Sequence, residues 1–248
     1  MRFKDKVVLI IGGNSGIGLA AAEQFAAEGA KLVITGRDAK TLATAAAKTG
    51  ARAVRCDVAD LSTLDHCMDQ VREAHGRIDV LFVNAGIGAF APVREVTPQL
   101  WDEIHSVNLK GCFFAVQKAL PLMGRGGSVV ITGSIGAEAA VPGNAVYAAS
   151  KAGLRAVSRI LGVELLAEGI RVNMVSPGPT ETPLINRNIG MDEAAVDALR
   201  QIMINVVPMK RMGEAHEVAK AVLFLASDEA SFINGVDLDV DGGCMELS

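Results

Sequence analysis

No two cysteines of this sequence form a C-x-x-C pair, and Cys56, Cys67, Cys112 and Cys244 are scattered without metal-ligand spacing. The four histidines, His66, His75, His105 and His216, are equally dispersed. No metal site is expected, and no disulfide framework is needed. A chain of 248 residues buries roughly 70–75% of the surface it would expose unfolded. Long apolar runs are also missing. The N-terminal run, Val7 to Ile11, gives way at once to two glycines and Asn14, which is too short for a signal-peptide core. No stretch approaches the ~20 apolar residues of a membrane span. Positive charge is scarce: the formal net charge is −4, and no Lys/Arg run interleaves with aromatics. Neither nucleic acid nor a membrane is therefore expected as partner. What remains is a cytoplasmic protein acting on a small molecule.

What is present is alternation. Apolar runs rich in Val and Ile at 6–11, 31–35, 53–56, 79–83, 128–132, 170–175 and 236–240 predict seven strands. Runs that are apolar on both faces suit parallel strands buried between helices. Amphipathic segments between them predict helices at 18–28, 39–48, 61–75, 98–123, 146–168, 192–203 and 214–226. This βαβ alternation predicts an α/β fold, a single doubly wound parallel sheet of Rossmann type with helices on both faces. No linker or repeat divides the chain, so one domain, 1–248, is expected. The segment at about 182–211, with Pro183 and Pro208, predicts a substrate lid after the sixth strand.

The first strand runs into Gly12-Gly13-Asn14-Ser15-Gly16-Ile17-Gly18 and then a helix. Glycines here let the backbone approach a pyrophosphate held at the helix N-terminus. The spacing is G-x-x-x-G-x-G rather than the general G-x-G-x-x-G. The second strand ends Thr35-Gly36-Arg37, without the carboxylate that would bind both ribose hydroxyls of NAD. Arg37 offers a planar fork for a 2′-phosphate, although it could instead be solvated or pair with Asp38. The pattern favours NADP over NAD. Asp57, with Val58 after it, either meets an adenine amino group or caps a helix.

Tyr147 is the only tyrosine, and Lys151 follows it by four residues. On a helix that spacing stacks the two side chains on one face. A phenol is a poor base at neutral pH, and a neighbouring ammonium favours its phenolate form. Such a pair can take a proton from an alcohol or return it to an alkoxide. Ser134, at the end of the fifth strand, could donate to the substrate oxygen. Asn108 sits in an otherwise apolar helix where its propensity is poor, and a water relay to Lys151 would give it a partner.

These motifs together resemble the short-chain dehydrogenase/reductase family, in order and over essentially the whole chain. They are Gly12–Gly18, Asp57, Asn84-Ala85-Gly86, Asn108, Ser134, Tyr147 with Lys151, Pro177-Gly178 with Thr182, and Asp241-Gly242-Gly243. The resemblance implies a catalytic tetrad of Asn108, Ser134, Tyr147 and Lys151. It implies that Lys151 also binds the nicotinamide ribose, that Asn84, Ala85 and Gly86 shape the cofactor cleft, and that Pro177, Gly178 and Thr182 hold the carboxamide. It further implies a homotetramer paired through the helices at 98–123 and 146–168. Ile11 and Val83 depart from the family pattern, which usually has Thr and often Asn there. Apolar packing between them is expected to replace a polar tie.

The lid carries Ile185, Ile189, Met191, Met203, Ile204, Val206 and Val207 against Arg187, Asp192 and Glu193. Those apolar residues either face a neutral substrate or pack the lid against the body. Glu138 and Asn144 are expected to face the pocket. The expected activity is hydride transfer between NADP(H) and a carbonyl or secondary alcohol. The alternatives are a 3-oxoacyl carrier-protein reductase, which needs a basic patch for which Arg125, Arg155 and Arg159 are candidates, and a sugar or polyol dehydrogenase. A non-catalytic NADP-binding sensor would have no need for Ser134, Tyr147 and Lys151 together.

Overall fold

The computed structural model describes residues 1–183, 185 and 193–247, apart from the side chains of 193 and 195. Seven strands form one parallel sheet: β1 Val7–Ile11, β2 Lys31–Gly36, β3 Arg52–Arg55, β4 Val80–Val83, β5 Ser128–Thr132, β6 Arg171–Pro177 and, last in the chain, Asp237–Val240. Two short strands between them, β7 Thr180–Glu181 and β8 Gly213–Glu214, pair apart from the sheet, so Asp237–Val240 is β9. The sheet order is β3-β2-β1-β4-β5-β6-β9. The chain reverses direction across the sheet between β1 and β4, which opens a crevice at the carboxyl ends of those strands.

The helices are α1 Gly16–Ala27, α2 Ala39–Thr49, α3 Leu61–His75, α4 Pro98–His105, α5 Cys112–Ala119, α6 Ala145–Glu164, α7 Glu193–Val206 and α8 Ala215–Ala226. β1 shows why they cover both faces. All five of its side chains are buried, Val8 and Ile10 against α1, α2 and α8, Leu9 and Ile11 against α3, α5 and α6. Ile11 and Val83 are buried in the same cluster, as apolar packing at these two positions requires. The polar tie has moved to other atoms: Asn84 Nδ2 donates to Gly12 O at 2.9 Å, and Thr132 Oγ1 donates to Asn84 Oδ1 at 3.0 Å.

One predicted helix is broken. The segment 98–123 divides into α4, a π-helical turn Ser106–Gly111, α5 and a 3-10 turn Leu120–Leu122. Asn108 lies in the π turn and competes with the helix by clamping a neighbouring peptide. It receives Ile87 N and donates to Ile87 O, both at 2.9 Å. Such single-turn insertions recur at functional sites.

Arg171 pins the far end of the sheet. Its guanidinium donates to Leu225 O (2.9 Å) and Ser227 O (3.0 Å) at the C-terminal end of α8, and to Ile233 O (3.2 Å) in the loop before β9. Arg171→Met removes all three bonds, although Leu225 O keeps Ser128 Oγ and Ile233 O keeps Asn173 Nδ2 as donors, and is expected to cost about 2–3 kcal/mol. For a chain of this size that lowers Tm by roughly 5–10 °C. Thermal unfolding followed by circular dichroism checks this, and an unchanged Tm contradicts it.

Among the described residues no helix is long and apolar enough to cross a membrane, and no cluster of His, Cys, Asp or Glu could hold a metal. Among the described residues no two cysteines form a disulfide. Burial pushes the Cys67 thiol up to about 12 and Cys112 to about 11, so both stay protonated and unreactive at neutral pH.

Candidate active site

A cavity of about 960 Å³ follows the carboxyl edge of the sheet from β3 to β6. At one end lies the glycine turn between β1 and α1. Gly12 has φ +84°, and a Cβ there would lie 2.9 Å from the backbone of Ala85. A Cβ on Gly18 would overlap Gly12 O and come within 2.7 Å of Asn84 Nδ2. These glycines therefore bring the turn, the start of α1 and Asn84-Ala85 into direct contact. Ser15 caps α1 without a side-chain bond, and the first turn holds no acidic residue. Ser15, Gly16 and Ile17 line the cavity, and a helix start of this kind could hold an anion.

Along the same wall stand Arg37 and Asp57, at the ends of β2 and β3. Asp57 also accepts Ala59 N at 3.1 Å, so it caps the turn before α3 while facing the cavity. Gly36 has a reason the sequence did not reveal: a Cβ there would press on the Asn14 side chain at 2.6 Å. Asn14 Nδ2 in turn donates to Thr41 Oγ1 at 2.9 Å, fixing the turn against α2. Thr35 is the other residue that motif reading missed. Its buried hydroxyl accepts Gly12 N at 3.0 Å.

At the other end the cavity is lined by Ser134, Asn144, Tyr147 and Lys151. Tyr147 and Lys151 occupy one face of α6, with Lys151 Nζ 5.9 Å from the phenol ring centroid. Lys151 is 3% exposed, and Nζ donates to Thr132 O at 2.9 Å, which holds the ammonium under the end of β5. That bond uses one of its three protons. Ser134 Oγ accepts Gly136 N at 3.0 Å, which leaves its own proton to donate. Asn108 Oδ1 and Lys151 Nζ both sit behind Gly86, 3.5 and 3.6 Å from where its Cβ would be. The polar groups of Asn108 are met directly by Ile87 and by Ser150 Oγ at 3.2 Å, so its burial needs no water partner.

Pro177, Gly178 and Thr182 reach the cavity from beyond β6, and Thr182 approaches Gly16 at 3.4 Å from its Cβ position. Ala85, Gly86, Val58, Ile17 and Ile185 also line it. Two expectations for the loop after β5 separate. Asn144 lines the cavity and donates to Gly136 O at 3.1 Å, holding the turn that carries Ser134. Glu138 is placed differently. It is not among the lining residues and instead pairs with Arg155, which lies 3.0 Å from Asp237 as well, close in charge but not aligned as a hydrogen bond. Of the segment expected to form a lid, Arg187, Ile189, Met191 and Asp192 lie outside the described residues.

A family model described as enoyl-(acyl carrier protein) reductase matches residues 11–245. Levodione reductase of Leifsonia aquatica is 38% identical over 98% of this chain and 95% of its own length. The chain belongs to the short-chain dehydrogenase/reductase family. The 3-oxoacyl-(acyl-carrier-protein) reductase MabA of Mycobacterium bovis is 36% identical over 97% of this chain and 93% of MabA. The solved structure of BdcA in complex with NADPH matches with a TM-score of 0.87 at 35% identity, covering 98% of this chain and 95% of that one. As a short-chain dehydrogenase/reductase, the protein is an oxidoreductase that works on small molecules with a nicotinamide cofactor.

Proposed function

We propose that this short-chain dehydrogenase/reductase transfers a hydride between NADP(H) and a carbonyl or secondary alcohol, with Tyr147 as the acid/base. The observation that carries the reading is the arrangement of one cavity: an anion-binding glycine turn at one end, Tyr147, Ser134 and Lys151 at the other. The residues present fit a dinucleotide, because Gly12 and Gly18 let the turn pack against Asn84-Ala85 and the start of α1, with Gly16 and Ile17 of that helix start lining the cavity. The first amides of α1 receive the pyrophosphate, Asp57 the adenine amino group, and Pro177, Gly178 and Thr182 the carboxamide. NADPH, when bound, supplies the hydride.

The chain's own residues handle the proton. Ser134 donates its free O–H to the substrate oxygen and stabilises the charge that develops there. The Tyr147 hydroxyl gives its proton to the forming alkoxide. In the oxidative direction the same oxygen takes a proton from the alcohol. The two remaining Lys151 protons are available to the nicotinamide ribose, and its charge stabilises the phenolate left on Tyr147. Asn108 keeps the loop after β4 and the Ser150 turn of α6 at a fixed distance. A non-catalytic sensor would need none of this end of the cavity.

NADP rather than NAD follows from Arg37 and from the absence of a carboxylate at the tip of β2. Arg37→Asp removes the fork and places a negative charge where a 2′-phosphate would sit. The expected result is a shift in the NADPH-to-NADH ratio of kcat/KM of at least about tenfold toward NADH, the worth of one charge-assisted hydrogen bond. An unchanged ratio contradicts the assignment. The 3-oxoacyl carrier-protein alternative is weakened, since Arg155, one of its three candidate cations, is engaged by Glu138 and Asp237.

A further inference from the structure

Helix α7 has two apolar faces with different neighbours. Val196 and Ile204 pack with Ile185 and Met212 in a small cluster of the lid's own. Leu199, Ile202 and Val206, spaced three and four residues apart, line the cavity, and Met203 both lines it and packs against the cluster. Ile202 is 60% and Val206 55% exposed, so two large aliphatic side chains stand open on that wall. Val141, from the loop after β5, and Met245, from beyond β9, line the cavity too. The distribution of charge is equally one-sided. Among the described lining residues only Arg37, Asp38, Asp57 and Lys151 are charged, and each belongs to the proposed cofactor path or to the proton-handling end.

An anionic substituent placed against the α7 wall would lose its hydration and find no described cation to replace it. An apolar substituent would instead bury the open faces of Ile202 and Val206. Met203 and Met245 are unbranched and flexible, so they can follow substituents of different shape.

We propose that this wall selects uncharged, apolar ketones and secondary alcohols, and that Ile202 and Val206 determine that specificity. The inference rests on the reductase reading for the position of the carbonyl, between Tyr147 and Ser134. It differs from that reading in what would refute it.

The test is binding rather than turnover. NADPH with an alcohol is a dead-end pair, because both are already reduced. Calorimetric titration of the NADPH-loaded protein with 4-tert-butylcyclohexanol and with 3-hydroxybutyrate compares an apolar with an anionic secondary alcohol. The apolar alcohol is expected to bind at least about 100-fold more tightly, within the range a hydrophobic pocket discriminates. Ile202→Asp should weaken it about tenfold or more without changing NADPH affinity or Tm, since Ile202 belongs to none of the core clusters. Ile202→Lys should narrow the gap by strengthening the carboxylate. Equal affinity for the two alcohols, or an unchanged apolar affinity in Ile202→Asp, would overturn the inference. Failure to take up NADPH would count against the reductase reading alone, and the same two titrations without cofactor would still rank the alcohols against the wall.

Discussion

Tyr147→Phe is expected to lower kcat by about a thousandfold, within the range that positioned acid/base catalysis supplies, while NADPH affinity stays within about twofold. The change removes one oxygen and keeps the ring that packs beside Gly136, where Tyr147 Cε1 lies 3.5 Å from the Cβ position. Among the described residues the phenol oxygen makes no hydrogen bond, so stability should hold. Ser134 still stabilises charge on the substrate oxygen, and Lys151 still donates to Thr132 O. The alkoxide, however, has lost its proton donor. Single-turnover reduction measured against NADPH fluorescence titration separates the two effects. Substantial remaining turnover would remove Tyr147 from the acid/base role, and a parallel loss of NADPH affinity would mean that the ring supports cofactor rather than chemistry.

The second large effect belongs to Gly18→Ala. A methyl group at that position overlaps Gly12 O and crowds Asn84 Nδ2 at 2.7 Å, the two ends of the hydrogen bond that joins β1 to the end of β4. Neither neighbour is the tip of a flexible chain, because one is backbone and the other is held by Thr132. The turn must therefore move away from α1, carrying its amides with it. NADPH is expected to bind about 100-fold more weakly, equivalent to about 2.7 kcal/mol. Gly124→Ala is the matched control, since nothing lies within 4 Å of its Cβ position and its φ is not positive. Fluorescence titration of NADPH against both variants gives the comparison. Equal affinities would show that the glycine turn is not the phosphate cradle.

The five inner strands were legible because each is a short run buried on both faces, which leaves a nearly uninterrupted apolar signature, whereas the edge strands β3 and β9 are largely open and mix charged with apolar residues. Their boundaries in the structure fall within two residues of the sequence reading. The π turn at Asn108 was not legible as such. Helical periodicity averages over several turns, whereas the insertion depends on Ile87, a residue distant in sequence, offering both its N–H and its C=O to the Asn108 amide. The same limit explains Thr35 and Thr132. Each looks like an ordinary strand residue until the sheet order places it beside Gly12 or Asn84. Glu138 illustrates the opposite case. A carboxylate near a candidate active site suggests a substrate contact, but the nearest cation, Arg155, lies two turns beyond Tyr147 on α6 and claims it. Cys244 and Met245 escaped notice because nothing local announces that the segment after β9 returns to the cavity.

The central claim is that one cavity binds NADPH and reduces a carbonyl at Tyr147. It is tested most directly by following NADPH oxidation by the purified protein over apolar ketones, aldehydes, 3-oxoacyl thioesters and sugars, with NADH in parallel. The account predicts turnover with NADPH on apolar ketones and slower turnover with NADH. NADPH that binds tightly yet is oxidised by no carbonyl of the panel would contradict it, and would make the protein a cofactor-binding sensor instead.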